Sequence, residues 1–540
     1  MAIKTRTPLI VLSLCLSAAP LCAQMEHEQV VPPPSKLGRV HFPTSCNAAA
    51  ARTIERGVVL LHSFWYEEAG KAFRDAAAAD SSCAMAYWGQ ATSLLHPLWA
   101  PPSPQDLTNG EALAERAQAM GAPTPRERAY VEAIGAFYRG DTTVRHPNRL
   151  RAWEEALGRL HQAEPADTEA TVFYALSLIA VAQNSPPDST NALPRQAGLL
   201  LEPLFAREPN HPGLAHYLIH AYDSPALADR AVRAADRYAR IAPAVPHALH
   251  MPSHIYTRLG MWDASIASNR SSAAASRQYE TEQHMDAVWD QRLHAMDYLV
   301  YAYLQEGRDS AARRVVGDAA GTQKVFPPHA LAAEYALAAI PARYALERGQ
   351  WSDAAALELR PDLQEPGALA VTRFAQALGA ARSGDTAQAR TAVTALTVVD
   401  EALSQRGVPI WAGTVRAQRL AASAWLALAA HDTAAAVSLA AEAADLEDAT
   451  GKHPVTPGAI LPARELQGDL LVVVGRPADA LKAYEASLVR APKRARSLLG
   501  AARAAEQAGD RTAARRWQRE YSVLMRHADR DGRRLPVKPS

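Results

Sequence analysis

The sequence predicts an all-α protein that forms one continuous superhelix of helical hairpins. Alanine, leucine, arginine and glutamate dominate the composition, and the alternation of β-branched residues that marks strands is scarce. Small residues also recur at a fixed interval, since Gly475 and Gly509 are 34 positions apart and so are Ala480 and Ala514. This interval is typical of helix–turn–helix units that bury their apolar faces only by stacking.

The small and aromatic positions inside each unit resemble those of tetratricopeptide-repeat proteins, from about residue 50 to residue 521. A unit that begins at Leu461 has the expected small, aromatic or proline residue at Gly468, Gly475, Ala480, Tyr484, Ser487 and Pro492. In that pattern the small residues let two helices approach closely, and the aromatic side chain fills the gap between repeats. The resemblance implies a right-handed superhelix with a concave groove that holds ligands.

Four stretches resemble a subgroup of exported bacterial repeat proteins. They read LLHSFWYEEA at 60–69, CAMAYWG at 83–89, HMPSHIY at 250–256 and HPVTPGAILPARELQGDLL at 453–471. This resemblance implies the repeat fold and export from the cytoplasm. It implies no particular reaction.

Residues 1–23 have the organisation of a signal peptide. Lys4 and Arg6 precede an apolar run, and small alanines follow it at positions suitable for signal peptidase. The run is shorter than the roughly 20 residues that span a membrane. We therefore expect a cleaved signal and a periplasmic or secreted protein without a membrane span. A lipoprotein is less favoured, because the bulky Leu21 precedes Cys22.

The remaining chain is divided by the repeat frame into five segments. Its charge is balanced, with 57 basic and 56 acidic residues in the whole sequence, and this balance disfavours nucleic acid as a partner. The expected segments are an extended N-terminal linker at 24–45, partly degenerate hairpins at 46–210, histidine-rich hairpins at 211–306, C-terminal hairpins at 307–521 and a flexible tail at 522–540.

Two cysteines, Cys46 and Cys83, remain after removal of the signal. An even pair in an oxidising compartment favours a disulfide. The two residues also bracket one predicted hairpin, so the start of its first helix and the end of its second helix lie at the same edge. We predict a Cys46–Cys83 disulfide, and two separate buried thiols are the alternative.

Histidines recur at a helical spacing between residues 211 and 301. His216 and His220 are four positions apart, as are His250 and His254, so each pair lies on one face of a helix. In the repeat frame, positions 2, 5 and 9 of three successive units are occupied by His216, His220, His247, His250, His254, His294, Asp297 and Tyr301. The family resemblance places these positions on the concave groove.

Two interpretations of this histidine ladder compete. The imidazoles can share a transition metal such as zinc or copper, with Asp297 completing or orienting the set of ligands. Alternatively, they form a polar cluster, hydrogen-bonded to one another or to Tyr256 and Tyr301. Pro252 should kink the helix that carries the second pair, unless it begins a late helix and leaves His247 and His250 on a loop.

Three other groups are candidates for ligand contacts in the groove. Arg343 occupies position 9 of its unit and can pair with an anionic ligand, or it is simply solvated. Glu465 and Asp469 occupy positions 5 and 9 of a later unit, where they face arginines of the next unit. Such carboxylates serve either as structural ion pairs or as acid–base groups.

Three functions fit these features. The first is an exported repeat protein that binds a protein, a peptide or a small molecule in its groove, with a histidine-rich metal or polar site there. The second is a metal-dependent hydrolase or oxidase with His216, His220, His250 and His254 as ligands. The third is copper handling, which Met251, Met285 and Met296 suggest by their place near the histidines. We favour the first interpretation.

Overall fold

The structure is a computed structural model that describes residues 33–530, and most of these residues lie in helices. The α-helices are α1 (Ala48–His62), α2 (Tyr66–Ala79), α3 (Ala84–Ser93), α4 (Pro104–Met120), α5 (Pro125–Tyr138), α6 (His146–Ala163), α7 (Thr168–Gln183), α8 (Ala192–Arg207), α9 (Pro212–Ala221), α10 (Val232–Ile241), α11 (Pro246–His250), α12 (Pro252–Arg258), α13 (Trp262–Glu282), α14 (Asp290–Gln305), α15 (Asp309–Ala320), α16 (Leu331–Glu347), α17 (Trp351–Ala355), α18 (Pro366–Ser383), α19 (Thr386–Arg406), α20 (Pro409–Ala429), α21 (Thr433–Thr450), α22 (Ala463–Val473), α23 (Pro477–Arg490), α24 (Ala495–Gln507) and α25 (Arg511–Leu524). Two short parallel strands, β1 (Val288–Trp289) and β2 (Val325–Phe326), pair with each other. Short 3-10 helices lie at Pro34–Lys36, Ala228–Ala231 and Met525–His527.

Consecutive helices pack as hairpins, from α1 with α2 to α24 with α25. Helices α11 and α12 both pack against α13, and together they form the first half of one hairpin. First helices of neighbouring hairpins also contact one another, as α14 contacts α16 and α16 contacts α18. The predicted fold class, an all-α array of helical hairpins, is confirmed.

Glycine and aromatic residues hold neighbouring repeats together as the repeat pattern predicts. The ring of Tyr484 lies between Gly468 on α22 and Gly500 on α24, and a Cβ atom at either glycine would clash with that ring. Phe73 lies in the same way between Gly57 on α1 and Gly89 on α3. Close approach of the helices therefore requires glycine at these positions.

The concave side of the array is filled by the chain itself. Helix α1 packs against α9, and α14 packs against α24, so hairpins distant in sequence touch across the interior. The loop 451–462 between α21 and α22 occupies the remaining space. The Arg343 guanidinium donates hydrogen bonds of 2.9 Å to the carbonyls of Gly458 and Ala459, and it also pairs with Asp297 at 2.7 Å. Arg343, which the sequence places on the groove, is therefore held inside the protein.

The ends of the described chain are packed against the hairpins. In the expected linker, Phe42 is fully buried and stacks on Trp88, with 5.2 Å between ring centroids. At the other end, the Asp529 amide donates a 3.0 Å hydrogen bond to the carbonyl of Gly307. The part of the expected tail that precedes residue 531 is therefore docked on the turn between α14 and α15. The expected signal peptide at 1–23 and the residues after 530 lie outside the described residues.

Cys46 and Cys83 are joined by a disulfide that ties the segment just before α1 to the residue before α3. The link closes the first hairpin at its open edge, where the sequence places the two residues. Among the described residues, no helix is both long and apolar enough to span a bilayer.

We expect Arg343→Met to destabilise the protein strongly. The substitution leaves the buried Asp297 carboxylate and the carbonyls of Gly458 and Ala459 without their donor. Stranding one partner of a buried ion pair costs about 3 to 5 kcal/mol. Urea denaturation monitored by circular dichroism should show this loss in the free energy of unfolding.

The control for this substitution is Arg151→Met, because Arg151 is exposed on α6. Surface changes of this kind stay within about 0.5 kcal/mol. Adding Asp297→Leu to Arg343→Met removes the stranded charge and should restore part of the stability. A double variant no more stable than Arg343→Met would contradict the role we give to this ion pair.

Candidate metal centre

Six histidines of the predicted ladder meet inside three consecutive hairpins. They are His216 and His220 on α9, His247 and His250 on α11, His254 on α12 and His294 on α14. Prolines at the first position of α9, α11 and α12 set where these short helices begin. The six residues are between 0% and 6% exposed, so the imidazoles are enclosed by protein.

The rings form two groups of three. In the first triad (His216, His220 and His247), the Nε2 atom of His216 lies 3.1 Å from the Nε2 atoms of both other rings. In the second triad (His250, His254 and His294), the Nε2 atoms of the first two rings are 3.0 Å apart. One nitrogen of each ring can be chosen so that the three lie within 4.8 Å of one another in either triad.

In four of the rings, Nδ1 forms a hydrogen bond with a residue outside the triads. Nδ1 of His216 is 2.6 Å from the carbonyl oxygen of His62, and Nδ1 of His250 is 2.6 Å from Oδ1 of Asn269. The Asn269 amide nitrogen donates to the Ser265 carbonyl, which orients its oxygen toward the ring. The corresponding acceptors are the Asp223 carboxylate for His254, at 2.9 Å, and the Gln291 side-chain oxygen for His247, at 3.2 Å.

These outer acceptors determine which ring nitrogen carries the proton. A carbonyl or carboxylate oxygen can only accept, so Nδ1 of each of these four rings is the N–H donor. Burial, followed by the neighbouring imidazoles, lowers the pKa of His216, His247 and His250 well below 6.5, and burial also lowers the pKa of His254. The four rings are therefore neutral, and their Nε2 atoms present lone pairs to the interior.

Lone pairs face one another at short distance in both triads. His216 and His247 approach to 3.1 Å and His250 and His254 to 3.0 Å through nitrogens that carry no proton. A neutral His220 can donate from Nε2 to His216, and the Tyr298 hydroxyl lies 3.3 Å from Nε2 of His254. The His216–His247 and His250–His254 contacts themselves cannot be hydrogen bonds with these tautomers, so their lone pairs repel. A cation held between the nitrogens turns this repulsion into coordination.

The separations suit a transition metal. Metal–imidazole bonds of about 2.0 to 2.1 Å place the nitrogens of a trigonal or tetrahedral site about 3.3 to 3.6 Å apart. The short Nε2 separations need only a few tenths of an ångström of expansion to reach these values. Outer partners on the second ring nitrogen are also the usual companions of metal-bound histidine. The donor set therefore fits an ion such as zinc or copper.

The rings without outer partners point to the same conclusion. Within residues 33–530, neither nitrogen of His294 has a hydrogen-bond partner, and Nδ1 of His220 has none. A buried polar atom without a partner costs about 1 to 3 kcal/mol. Coordination by an imidazole nitrogen would satisfy His294, which otherwise is stabilised only by ring contacts such as that with His250, at 4.2 Å.

Asp297 does not join the histidines, contrary to the sequence-based expectation. Its carboxylate accepts from Arg343, and both side chains are buried. Tyr301 likewise accepts a 3.0 Å hydrogen bond from Arg494, and Glu465 pairs with both Arg494 and Arg496. Equivalent positions of successive repeats thus carry histidines in the earlier hairpins and ion-paired side chains in the later ones.

The other expected ligand contacts are also used within the protein. Asp469 pairs with Arg496 at 2.6 Å, and Tyr256 donates a 2.7 Å hydrogen bond to Asp236 on α10, away from the rings. Arg343, Glu465 and Asp469 are buried ion-pair residues and are neither solvated nor free to bind a ligand. The alternative of structural ion pairs holds for the two carboxylates, and Arg343 takes part in an ion pair that the sequence did not indicate.

A third histidine group was not predicted. His62 and His211 donate to the two oxygens of Glu169, at 2.7 and 2.8 Å, and all three side chains are buried. Burial by itself raises the pKa of Glu169, but the two imidazoles reverse this effect and hold its pKa well below the usual value. Nδ1 of His62 lies 3.0 Å from the Tyr217 hydroxyl, and Nδ1 of His211 accepts from Leu214. Every ring nitrogen has a partner, so this group is a structural network.

Asp223 connects the second triad to the loop 451–462. Its carboxylate accepts from His254, from Lys452 at 2.6 Å and from Arg258 at 2.8 Å. Burial raises its pKa, but Lys452 and Arg258 more than offset this and keep the pKa of Asp223 well below 3.8. Burial also lowers the pKa of Lys452 to about 8. The loop thereby supports a ring of the centre from outside.

A cavity of about 340 Å³ borders the first triad. Its lining includes His220 and Asp223, the basic residues Arg258 and Lys452, and apolar residues such as Ile179. Of the six histidines, His220 is the one that lines this cavity.

The hairpin array and the two triads define a class of protein: a TPR-like helical-repeat protein with a buried polyhistidine centre. No family model matches the sequence, and no curated protein matches it.

Several solved repeat structures are similar to the chain. The human IFIT1 dimer with m7Gppp-AAAA has a TM-score of 0.37 and 12% identity, over 90% of this chain and 91% of that chain. Yeast Tom70 has a TM-score of 0.32 and 12% identity, over 88% and 92% of the two chains. The Cut9–Hcn1 hetero-tetramer of the APC/C has a TM-score of 0.27 and 11% identity, over 91% and 96%. The order and packing of its own helices define the fold of this protein.

Sequence reasoning found the six imidazoles and missed the residues that orient them. Asp223, Asn269, Gln291 and Lys452 stand outside the helical spacing that picked out the rings. Lys452 precedes the stretch 453–471, whose resemblance to exported repeat proteins was the one signal available for that loop. Pro252 is the first residue of α12, as in the alternative of a late helix, but His247 and His250 lie on the short helix α11 rather than on a loop.

We expect the buried His453 to make the protein sensitive to acid. Burial, followed by Lys452, lowers its pKa to about 3, whereas the unfolded chain has a value near 6.5. Between these pH values the unfolded state binds one more proton, so the free energy of unfolding falls as the pH falls, by up to about 1.4 kcal/mol per pH unit. His453→Asn, which keeps an acceptor for the Val455 amide, should reduce that slope by this amount.

Urea denaturation of metal-free protein from pH 4 to pH 8 measures the slope for both proteins. Above pH 7 the two curves should run parallel, because His453 is neutral in both states there. Equal slopes below pH 6 would show that His453 accepts a proton in the folded protein.

Proposed function

We propose that the protein binds transition-metal ions through the two histidine triads, with the helical repeats as a rigid enclosure. The observation that carries this proposal is the approach of unprotonated Nε2 atoms to 3.0–3.1 Å in each triad. With Nδ1 as the donor in each of these rings, neither contact can be a hydrogen bond, and a cation between the nitrogens would satisfy both lone pairs. The unpartnered nitrogens of His294 support the same proposal.

The enclosure favours an ion or a small molecule as the ligand over a peptide. The six imidazoles are buried, and the loop 451–462 together with the α1–α9 contact fills the interior. A protein or peptide partner would have to use the outer faces of the hairpins. The concave surface that helical repeats commonly offer to partners is here occupied by the chain itself.

A second candidate function is metal-dependent hydrolysis or oxidation. The observation in its favour is the cavity of about 340 Å³ that reaches His220. A small substrate in this cavity would lie against the first triad, where a metal can lower the pKa of bound water or polarise an oxygen. Arg258 and Lys452 at the cavity wall would meet polar groups of such a substrate.

We further propose that the protein acts outside the cytoplasm. The charged and apolar pattern of residues 1–23 supports export. The Cys46–Cys83 disulfide is consistent with an oxidising compartment such as the periplasm.

Metal loading followed by elemental analysis tests the proposed function. We expect the purified full chain to retain two equivalents of zinc or copper after dialysis, one for each triad. His216→Ala should abolish one equivalent, and His250→Ala should abolish the other, because each removes a central ligand of its triad.

His161→Ala is the matched control. His161 is only half-buried on α6 and bonds to Thr171, outside both triads, so its removal should leave two equivalents in place. A folded protein that retains no metal after loading would overturn the proposal, as would equal occupancy in all four proteins. Circular dichroism of each variant separates loss of ligands from loss of fold.

A further inference from the structure

The two triads lie side by side. The rings of His220 and His254 are 5.8 Å apart and those of His247 and His250 are 6.0 Å apart, although each pair is drawn from different triads. Two rings of the same triad, His254 and His294, are 6.1 Å apart. The six imidazoles therefore form one continuous cluster.

The charge of the surroundings constrains which ion this cluster can hold. All six ligands are neutral imidazoles. The nearest carboxylates already have cationic partners, since Asp223 pairs with Lys452 and Arg258, and Asp297 pairs with Arg343. No nearby anionic side chain is available to neutralise an ion in either triad. The charge of the ion would therefore stay largely uncompensated inside the protein.

Burial of an uncompensated charge has a free-energy cost that rises with the square of the charge. A divalent ion such as Zn²⁺ thus costs about four times as much as a monovalent ion at the same site. Among the metals that imidazole binds well, copper has a stable monovalent state. Neutral three-nitrogen sites without solvent therefore favour Cu(I) over Zn(II).

We infer that the six histidines form one dinuclear copper centre, loaded as Cu(I), that binds dioxygen between its two ions. The inference rests on the proposed metal-binding function and names the metal and the co-reactant. Each Cu(I) gives one electron, so dioxygen takes up two electrons and becomes peroxide bound between two Cu(II) ions. The O–O bond stays intact, and no proton or further reductant is needed.

Charge balance suits this step to an enclosed site. Two Cu(I) ions carry a charge of +2, and two Cu(II) ions with one bridging peroxide carry +2 as well. The net charge of the interior is unchanged, because the peroxide between the two ions compensates the charge that they gain. The cavity that borders His220 offers space next to the first triad for dioxygen and for a small reducing substrate.

The experiment uses the full chain, stripped with a chelator and loaded with Cu(I) under argon. We expect two copper ions per chain and, on exposure to air-saturated buffer, uptake of one dioxygen for every two copper ions. The oxidised protein should be nearly silent in electron paramagnetic resonance, because the two Cu(II) spins couple through the shared ligand. Elemental analysis of the same sample gives the total copper.

His294→Ala provides the decisive variant. It removes the one second-triad ring without outer hydrogen bonds, so we expect the copper content to fall to one ion per chain and dioxygen uptake to be lost. The remaining copper should be visible in the resonance spectrum after chemical oxidation. His161→Ala should behave as the unaltered protein does.

Different results would overturn different claims. Retention of two zinc ions in competition with Cu(I) would refute the copper centre and leave the metal-binding function in place. Two copper ions that take up no dioxygen, or that oxidise to two fully visible Cu(II) signals, would refute the dinuclear centre. A folded chain that retains no metal would refute both proposals.

Discussion

The centre of this protein depends on hydrogen bonds that hold imidazole rings from their outer side. Each of these bonds uses Nδ1 as the donor, and the acceptors come from separate parts of the chain: the end of α1 for His216, α13 for His250, the turn after α9 for His254 and α14 for His247. Because the outer nitrogen is committed to a donor role, the inner nitrogen is left with a lone pair. The repeat array therefore sets ring orientation and tautomer together.

Enclosure gives the centre its chemical character. The contact of α1 with α9 and the loop 451–462 exclude solvent from the rings, so burial keeps the imidazoles neutral and leaves any bound ion poorly compensated. The same interior continues as buried ion pairs around Arg343 and Arg494. Paired charges thus occupy the interior around Arg343 and Arg494, whereas neutral imidazoles cluster between α9 and α14.

The sequence was informative where a local period determines the structure. Helical spacing placed His250 and His254 on one face, and the 34-residue frame brought rings from three hairpins into phase. Asp297 occupies an equivalent position of the repeat, but its carboxylate pairs with Arg343 of the next hairpin. In the network of His62, Glu169 and His211, one hydrogen bond joins residues 107 positions apart, and no local pattern marks such a set.

The sequence by itself determined the helical class, the repeat period, the pair Cys46 and Cys83 as neighbours at one edge, and the face on which each histidine lies. These properties follow from short-range spacing, because an α-helix repeats every 3.6 residues and each hairpin repeats the last. Only the tertiary structure decided that the rings are enclosed, which nitrogen of each ring is protonated and which carboxylates remain apart. Those outcomes depend on Asp223, Asn269 and the loop 451–462, whose contacts with the rings arise only when distant hairpins pack together.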